Sequence, residues 1–143
     1  MLVRLLYASR IAAPVDHDQL AAILKKSRAE NPAHGITGAL CVCPTSGVFL
    51  QVLEGGRSAV NRLYAHIVVD PRHSQVELLT YEEITERRFA GWAMGQVDVA
   101  RLNPGLLLKY SEKAALDPYT VSGSASMALF NELMATASIV GNP

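Results

Sequence analysis

The hydrophobic pattern along residues 1–98 changes period repeatedly, and the order of those changes constrains the fold more than any single motif. Residues 2–9, "LVRLLYAS", alternate: Val3, Leu5, Tyr7 and Ser9 on one face, Arg4, Leu6 and Ala8 on the other, which predicts a strand. "VDHDQLAAILKKSRAEN" then switches to helical spacing, with Leu20, Ile23, Leu24 and Ser27 on one side. Asp16 with Gln19 makes a capping-box start, and Asn31-Pro32 with Gly35 ends the helix. "GITGALCVCP" and "GVFLQVLEG" predict a hairpin through a Pro44–Gly47 turn, with Glu54-Gly55 turning the chain at the second strand's end. "RSAVNRLYAHIVVD" places Val60, Leu63, Tyr64, Ile67 and Val68 on a second helix face, stopped by Pro71. "QVELLTYEEI" and "GWAMGQVDV" predict two further strands, linked by the charged "TERRF".

The resulting order, β-α-β-β-α-β-β, predicts an α+β, ferredoxin-like fold with both helices on one face of an antiparallel sheet. The other face needs its own cover, and the C-terminal region supplies it. Asn103-Pro104 opens a short helix through "GLLLKY", and "SASMALFNELMATA" forms another with a Phe130, Leu133, Met134 and Ala137 stripe. "SEKAALDPYTVSGS" reads as a flexible link between them. Residues 1–100 thus form the sheet domain and 101–143 a helical cap of the same globular unit, within a 143-residue chain long enough for one core.

Composition excludes several classes. Half of the residues are hydrophobic, 18% are charged and the net charge is zero, so no basic excess points to nucleic acid or an anionic membrane surface. "MLVRLLYASR" lacks the parts of a signal peptide, and no apolar run approaches the roughly 18 residues that span a bilayer. Cys41 and Cys43 point the same way along one strand, which suits neither a mutual disulfide nor zinc. They read as reduced core cysteines of a cytoplasmic protein. There is no Ser-His-Asp constellation, phosphate-binding loop or metal-ligand spacing, so nothing marks the chain as an enzyme.

One residue resists this plain reading. In "FLQVLEG", Gln51 shares a strand face with Phe49 and Leu53, where an unbonded amide costs roughly 1–3 kcal/mol. In this topology the first and third strands are central neighbours, so Tyr7 and Gln51 project side by side toward the helices. Asn31 lies near the same end, and Trp92 and Met94 share a face of the last strand. A phenol, two carboxamides and a sulfur then converge on the gap between the helices, as in a pocket for a flat, polar-edged ligand. Taken singly, Tyr7 is also a plausible core tyrosine, Asn31 a helix terminator and Trp92 beside Met94 core packing. A water or a backbone carbonyl would also satisfy Gln51.

Taken together, "LLYAS", "SRAENPAHGITGAL", "FLQVLEG", "AHIVVDPRHSQVELL" and "ITERRFAGWAMG" resemble, in order and spacing, the signature segments of BLUF domains, flavin-binding sensors of blue light. The resemblance covers about residues 2–98. It implies that residues 1–100 are the flavin-binding domain, with the ring of FAD between the two helices; FMN and riboflavin stay open. Asn31 would bond the pyrimidine edge, and Gln51 would bridge the Tyr7 hydroxyl and the flavin. Asp70, Arg72 and His73 would contact the other carbonyl or the ribityl chain. Met94 would line the site, Trp92 and Met94 would carry the signal, and which of the two adjoins Gln51 stays open. Light would drive transfer from Tyr7 through Gln51 to flavin and back, leaving the hydrogen bonds of Gln51 rearranged and the absorption shifted to the red. Such a protein is a photoreceptor switch, not an enzyme. With no output domain fused, it would act through a homo-oligomer or a separate downstream effector. Two positions depart from the family pattern: Glu30 stands where relatives carry Asn or His, and His66 where some carry arginine.

Rival classes on the same fold fare less well. An acylphosphatase needs a glycine-flanked arginine loop, and an RNA-binding module needs a basic sheet face with exposed aromatics. The serious alternative is a non-photoactive ligand-sensing or oligomerisation domain, because fold does not fix function.

Overall fold

The computed structural model describes residues 1–12, 14–136 and 139–141. Its elements are β1 (Leu2–Arg10), α1 (His17–Glu30), β2 (Thr37–Cys43), β3 (Val48–Gly56), α2 (Arg57–Val69), β4 (Ser74–Ile84), β5 (Gly95–Asp98), α3 (Pro104–Tyr110) and α4 (Gly123–Ala135). Short 3-10 turns occupy Asn31–His34 and Val99–Arg101. The capping box forms as expected: Gln19 N–H donates to Asp16 Oδ1 at 2.7 Å, and Asp16 N–H to Gln19 Oε1 at 3.0 Å. Gly35, at φ +66°, makes the left-handed exit that joins the first turn to β2.

The sheet order is β4-β1-β3-β2-β5. All pairs are antiparallel except β2–β5, which is parallel, so the sheet is mixed rather than antiparallel throughout. The reason lies in the connection. β4 ends at the end of the sheet where β2 begins, and a helix-free link across the sheet can enter β5 only in the direction of β2. The strand expected from Gly91 starts at Gly95 instead.

Each sheet face carries its own core. Val3, Leu5, Tyr7, Phe49, Leu53 and Met94 lie on the α1/α2 side, and Leu6, Ala8, Leu50, Val52, Phe89 and Phe130 on the other. The two covers differ. α4 buries Met127, Leu129, Phe130 and Leu133 and seals its face, with Met134 packed at the margin; Ala137 lies outside the described residues. α1 buries only Leu24 and α2 only Val60, while Leu20, Ile23, Leu63 and Ile67 stay half-buried. Val68, expected on the apolar face of α2, is 49% exposed, because helical spacing puts it at the margin of the face that Val60 and Ile67 turn to the sheet.

Glu54-Gly55 is strand rather than turn, since β3 runs through Gly56 straight into α2. The link before α4 is pinned, not loose. Leu116 is buried, and Tyr119 Oη donates to the Gln75 carbonyl at 2.8 Å with Arg10 over its ring. Cys41 and Cys43 are both free, and burial pushes the Cys41 thiol up to about 12. No described helix is long and apolar enough to cross a membrane.

Candidate functional site

Tyr7 and Gln51 are partners across the β1–β3 ladder, so sheet geometry alone sets their side chains together on the α1/α2 face. The Tyr7 phenol donates to Gln51 Oε1. This fixes the amide orientation and turns Nε2 to donate to Met94 Sδ at 3.3 Å. Tyr7 is 1% exposed and Gln51 8%. Burial, with Tyr64 adding, pushes the phenol above its ordinary value, so Tyr7 keeps its proton and acts as a donor. The Tyr64 ring lies 5.6 Å from that of Tyr7.

Asn31 closes α1 and opens the following turn, which commits its backbone in both directions: its N–H donates to Ser27 O and its carbonyl accepts from Ile36 N–H at 2.9 Å. The side chain is 6% exposed, and Nδ2 donates to the Ala93 carbonyl at 3.1 Å. One turn earlier, Arg28 Nε donates to the Met94 carbonyl at 3.0 Å, and from β2 the Gly38 N–H donates to the Trp92 carbonyl at 3.1 Å. Residues 92–94 are therefore held carbonyl by carbonyl, not laddered as a strand.

That arrangement corrects one expectation. Trp92 and Met94 do not share a face, because alternation does not apply outside a strand. Met94 is fully buried beside Gln51, whereas the half-buried Trp92 packs on Phe89 on the opposite side of the sheet.

The residues after α2 divide into two groups. His73 is half-buried; its Nδ1 shares a hydrogen bond of 2.9 Å with Ser9 Oγ, and its ring meets Phe49 edge-on at 5.7 Å. Burial lowers its imidazole. Asp70 and Arg72 pair with each other at 2.7 Å instead of reaching Tyr7, Asn31 or Gln51. Hydrogen bonds from Arg72 hold the Asp70 carboxyl down at about 2. Glu30 and His66, the two departures, are exposed.

Residues 2–95 match the family model BLUF, sensors of blue-light using FAD. The chain belongs to the BLUF family. The beta subunit of the photoactivated adenylate cyclase of Euglena gracilis is 36% identical over 86 residues, 60% of this chain and 10% of that one, so the chain spans a small part of this curated relative. The photo-activated state of BlsA superposes with a TM-score of 0.82 at 29% identity, covering 100% of this chain and 99% of that one. The dark state of BlrB, a BLUF protein, superposes with a TM-score of 0.78 at 32% identity, covering 95% and 96%. The family is one of blue-light sensors.

BLUF domains bind flavin, and the residues present suit such a group. Asn31 Oδ1 accepts no hydrogen bond from the described residues, and Gln51 Nε2 has spent one proton only, on a weakly accepting sulfur. The half-buried apolar residues of α1 and α2 leave the helices incompletely packed over these groups. A planar, polar-edged ring between them would cover the apolar stripes and use the remaining amide valences.

Two contributors escaped the sequence reading. Arg28 left a faint signal, being three residues before Asn31 and so on the same side of α1. Glu54 left a stronger one. It and Arg4 are charges on otherwise apolar strand faces, and they are register partners. Glu54 is fully buried; it accepts from Arg4 Nε at 2.8 Å and from the N–H groups of Arg88 (3.1 Å) and Phe89 (2.6 Å), which anchors the start of the segment that ends in Met94.

Proposed function

We propose that the chain is a blue-light switch whose photoactive pair is Tyr7 and Gln51, with FAD held between α1 and α2. The observation that carries the reading is the buried chain from Tyr7 Oη through the Gln51 amide to Met94 Sδ. Asn31 would bind the ring's polar edge. His73 would approach the ring's far side or the chain attached to it, and Asp70 and Arg72 would do so only after exchanging their mutual bond. When bound, the flavin supplies absorption of blue light and a transient sink for one electron and one proton.

The protein's part follows from its own groups. Tyr7, kept protonated by burial, gives up an electron and its Oη proton together. Gln51 takes that proton at Oε1 and passes one from Nε2. The return transfer restores Tyr7 but leaves the amide rotated or in its other tautomer, because a carboxamide is both donor and acceptor. Either change alters the contact with Met94. The Met94 and Ala93 carbonyls are tied to Arg28 and Asn31, so displacement there passes to β5 and on to the C-terminal helices. Output through a homo-oligomer or a separate cytoplasmic partner suits a two-state element at that edge.

An absorption spectrum of the purified protein in the dark, after blue light and during recovery tests this reading. A flavin spectrum that shifts reversibly to the red is expected. Bound flavin that bleaches or stays unchanged, or no uptake of added FAD, would leave the non-photoactive ligand-sensing alternative.

A further inference from the structure

The outer edge of β5 is closed by a short piece of the chain's own tail. Val140 exchanges two backbone hydrogen bonds with Gln96, of 2.5 and 3.0 Å, in an isolated antiparallel bridge. Ile139 is 5% exposed and fills the space above Gly95, where a side chain on Gly95 would overlap it and press on the Trp92 ring. Gly141 lies against the Arg28 guanidinium and the Met94 carbonyl. Val140 itself is 61% exposed. One bridge and one buried side chain thus hold this segment, on the strand that begins immediately after Met94.

Beside the same edge runs a groove of about 320 Å³ between α1 and β5, which does not contain Tyr7 or Gln51. Leu20 and Leu24 line it together with Gln96 from β5 and with His17, Lys25 and Arg28. Among the described residues, none of these three basic groups pairs with a carboxylate. In a chain of zero net charge, Lys25 and Arg28 thus set two unpaired positive charges side by side along a strand edge.

We infer that this strip is a docking site for an extended, acidic segment of a partner protein, which takes the place of Ile139–Gly141 along β5. Strand addition to an exposed edge supplies main-chain hydrogen bonds, and alternate side chains supply specificity. Here alternate apolar residues would lie on Leu20 and Leu24, and acidic ones would meet Lys25, Arg28 and His17. Light gating of this docking rests on the photoswitch proposed above. The Gln51–Met94 contact sits at the head of β5, so a change there alters how well the tail competes for the edge. The docking itself does not depend on that reading.

A fluorescein-labelled heptapeptide of alternating glutamate and valine, with its lysine–valine counterpart as control, serves as the probe, read by fluorescence anisotropy on the full flavin-loaded chain. The acidic peptide should bind more tightly than the basic one and weaken as salt is raised. Lys25→Glu should weaken it roughly tenfold. Val140→Pro removes the N–H that bonds Gln96 but keeps Ile139 in place, and should tighten binding several-fold. Removing residues 139–143 should act in the same direction; the proline variant carries the test if truncation impairs folding. Equal binding of the two peptides, or no effect of Lys25→Glu, overturns the site. So does tighter binding of duplex DNA than of peptide, or self-association that Lys25→Glu abolishes, which would make a second copy the occupant. Equal affinity in dark and light, in a sample that shows the red shift, overturns the gating. Absence of the shift with intact peptide binding counts against the photoswitch alone.

Discussion

Replacing Glu54 with glutamine removes one charge and adds no volume, yet it should be among the most damaging substitutions in the chain. Glu54 and Arg4 are 0% and 3% exposed, and their side chains meet at 2.7 Å. The amide would leave Arg4 with only Glu82, whose side chain is 52% exposed. It would also turn an N–H toward donors that now share a carboxylate: Arg4, Arg88 N–H and Phe89 N–H. Stranding a buried charge costs about 3–5 kcal/mol, against a total stability for a domain of this kind of about 5–15 kcal/mol. With a urea slope of about 2 kcal/mol per molar, the midpoint should fall by about 1.5–2.5 M. The double replacement Arg4→Met with Glu54→Leu removes both charges. Its residual loss should be about 1–3 kcal/mol, the cost of leaving the buried Phe89 N–H unpaired. The double variant should therefore be more stable than Glu54→Gln. A loss below about 1 kcal/mol in Glu54→Gln, or a double variant less stable than the single one, would refute the view that this pair anchors the segment before Met94.

Three further outcomes are expected. Met94→Ala empties a fully buried position and should cost about 2–5 kcal/mol in urea unfolding, while changing the rate of dark recovery because Gln51 Nε2 loses its partner; an unchanged recovery rate would remove Met94 from the switch. His73 is held below the ordinary imidazole value of 6.5 by burial, with Asp70 opposing and Arg72 adding to that shift. Below that pH the unfolded chain binds the proton more readily, so stability is full above 6.5 and is lost as pH falls through the lowered folded value. His73→Gln should flatten the fall in urea midpoint between pH 7 and pH 5, and an identical fall would show that other groups titrate there. Asn31→Ala should weaken flavin retention on dialysis and free the Ala93 carbonyl, and full retention would count against its place at the ring edge.

Much of this was legible in the sequence because it rests on short-range rules. Alternation in "LVRLLYAS" and "FLQVLEG" was enough to set Tyr7 and Gln51 on the same face, and the strand order then made them neighbours. The capping box at Asp16 formed as written. The failures came where long-range pairing overrides local pattern. The run "GWAM" alternates like a strand, but Gly38, Asn31 and Arg28 take its carbonyls, so Trp92 and Met94 part to opposite sides of the sheet. Glu54 before glycine looks like a turn until Arg4, 50 residues away, is paired with it. Val68 fits the helical stripe by spacing, but it stands at the stripe's margin, and its neighbour Ile67 takes the contact with the core instead.

The most direct test of the central claim compares light-minus-dark absorption spectra of the parent protein and Tyr7→Phe, both loaded with flavin. The proposal predicts a reversible red shift in the parent, and in the variant bound flavin with no shift, since the phenol that donates to Gln51 is gone. A normal photocycle in Tyr7→Phe would contradict it.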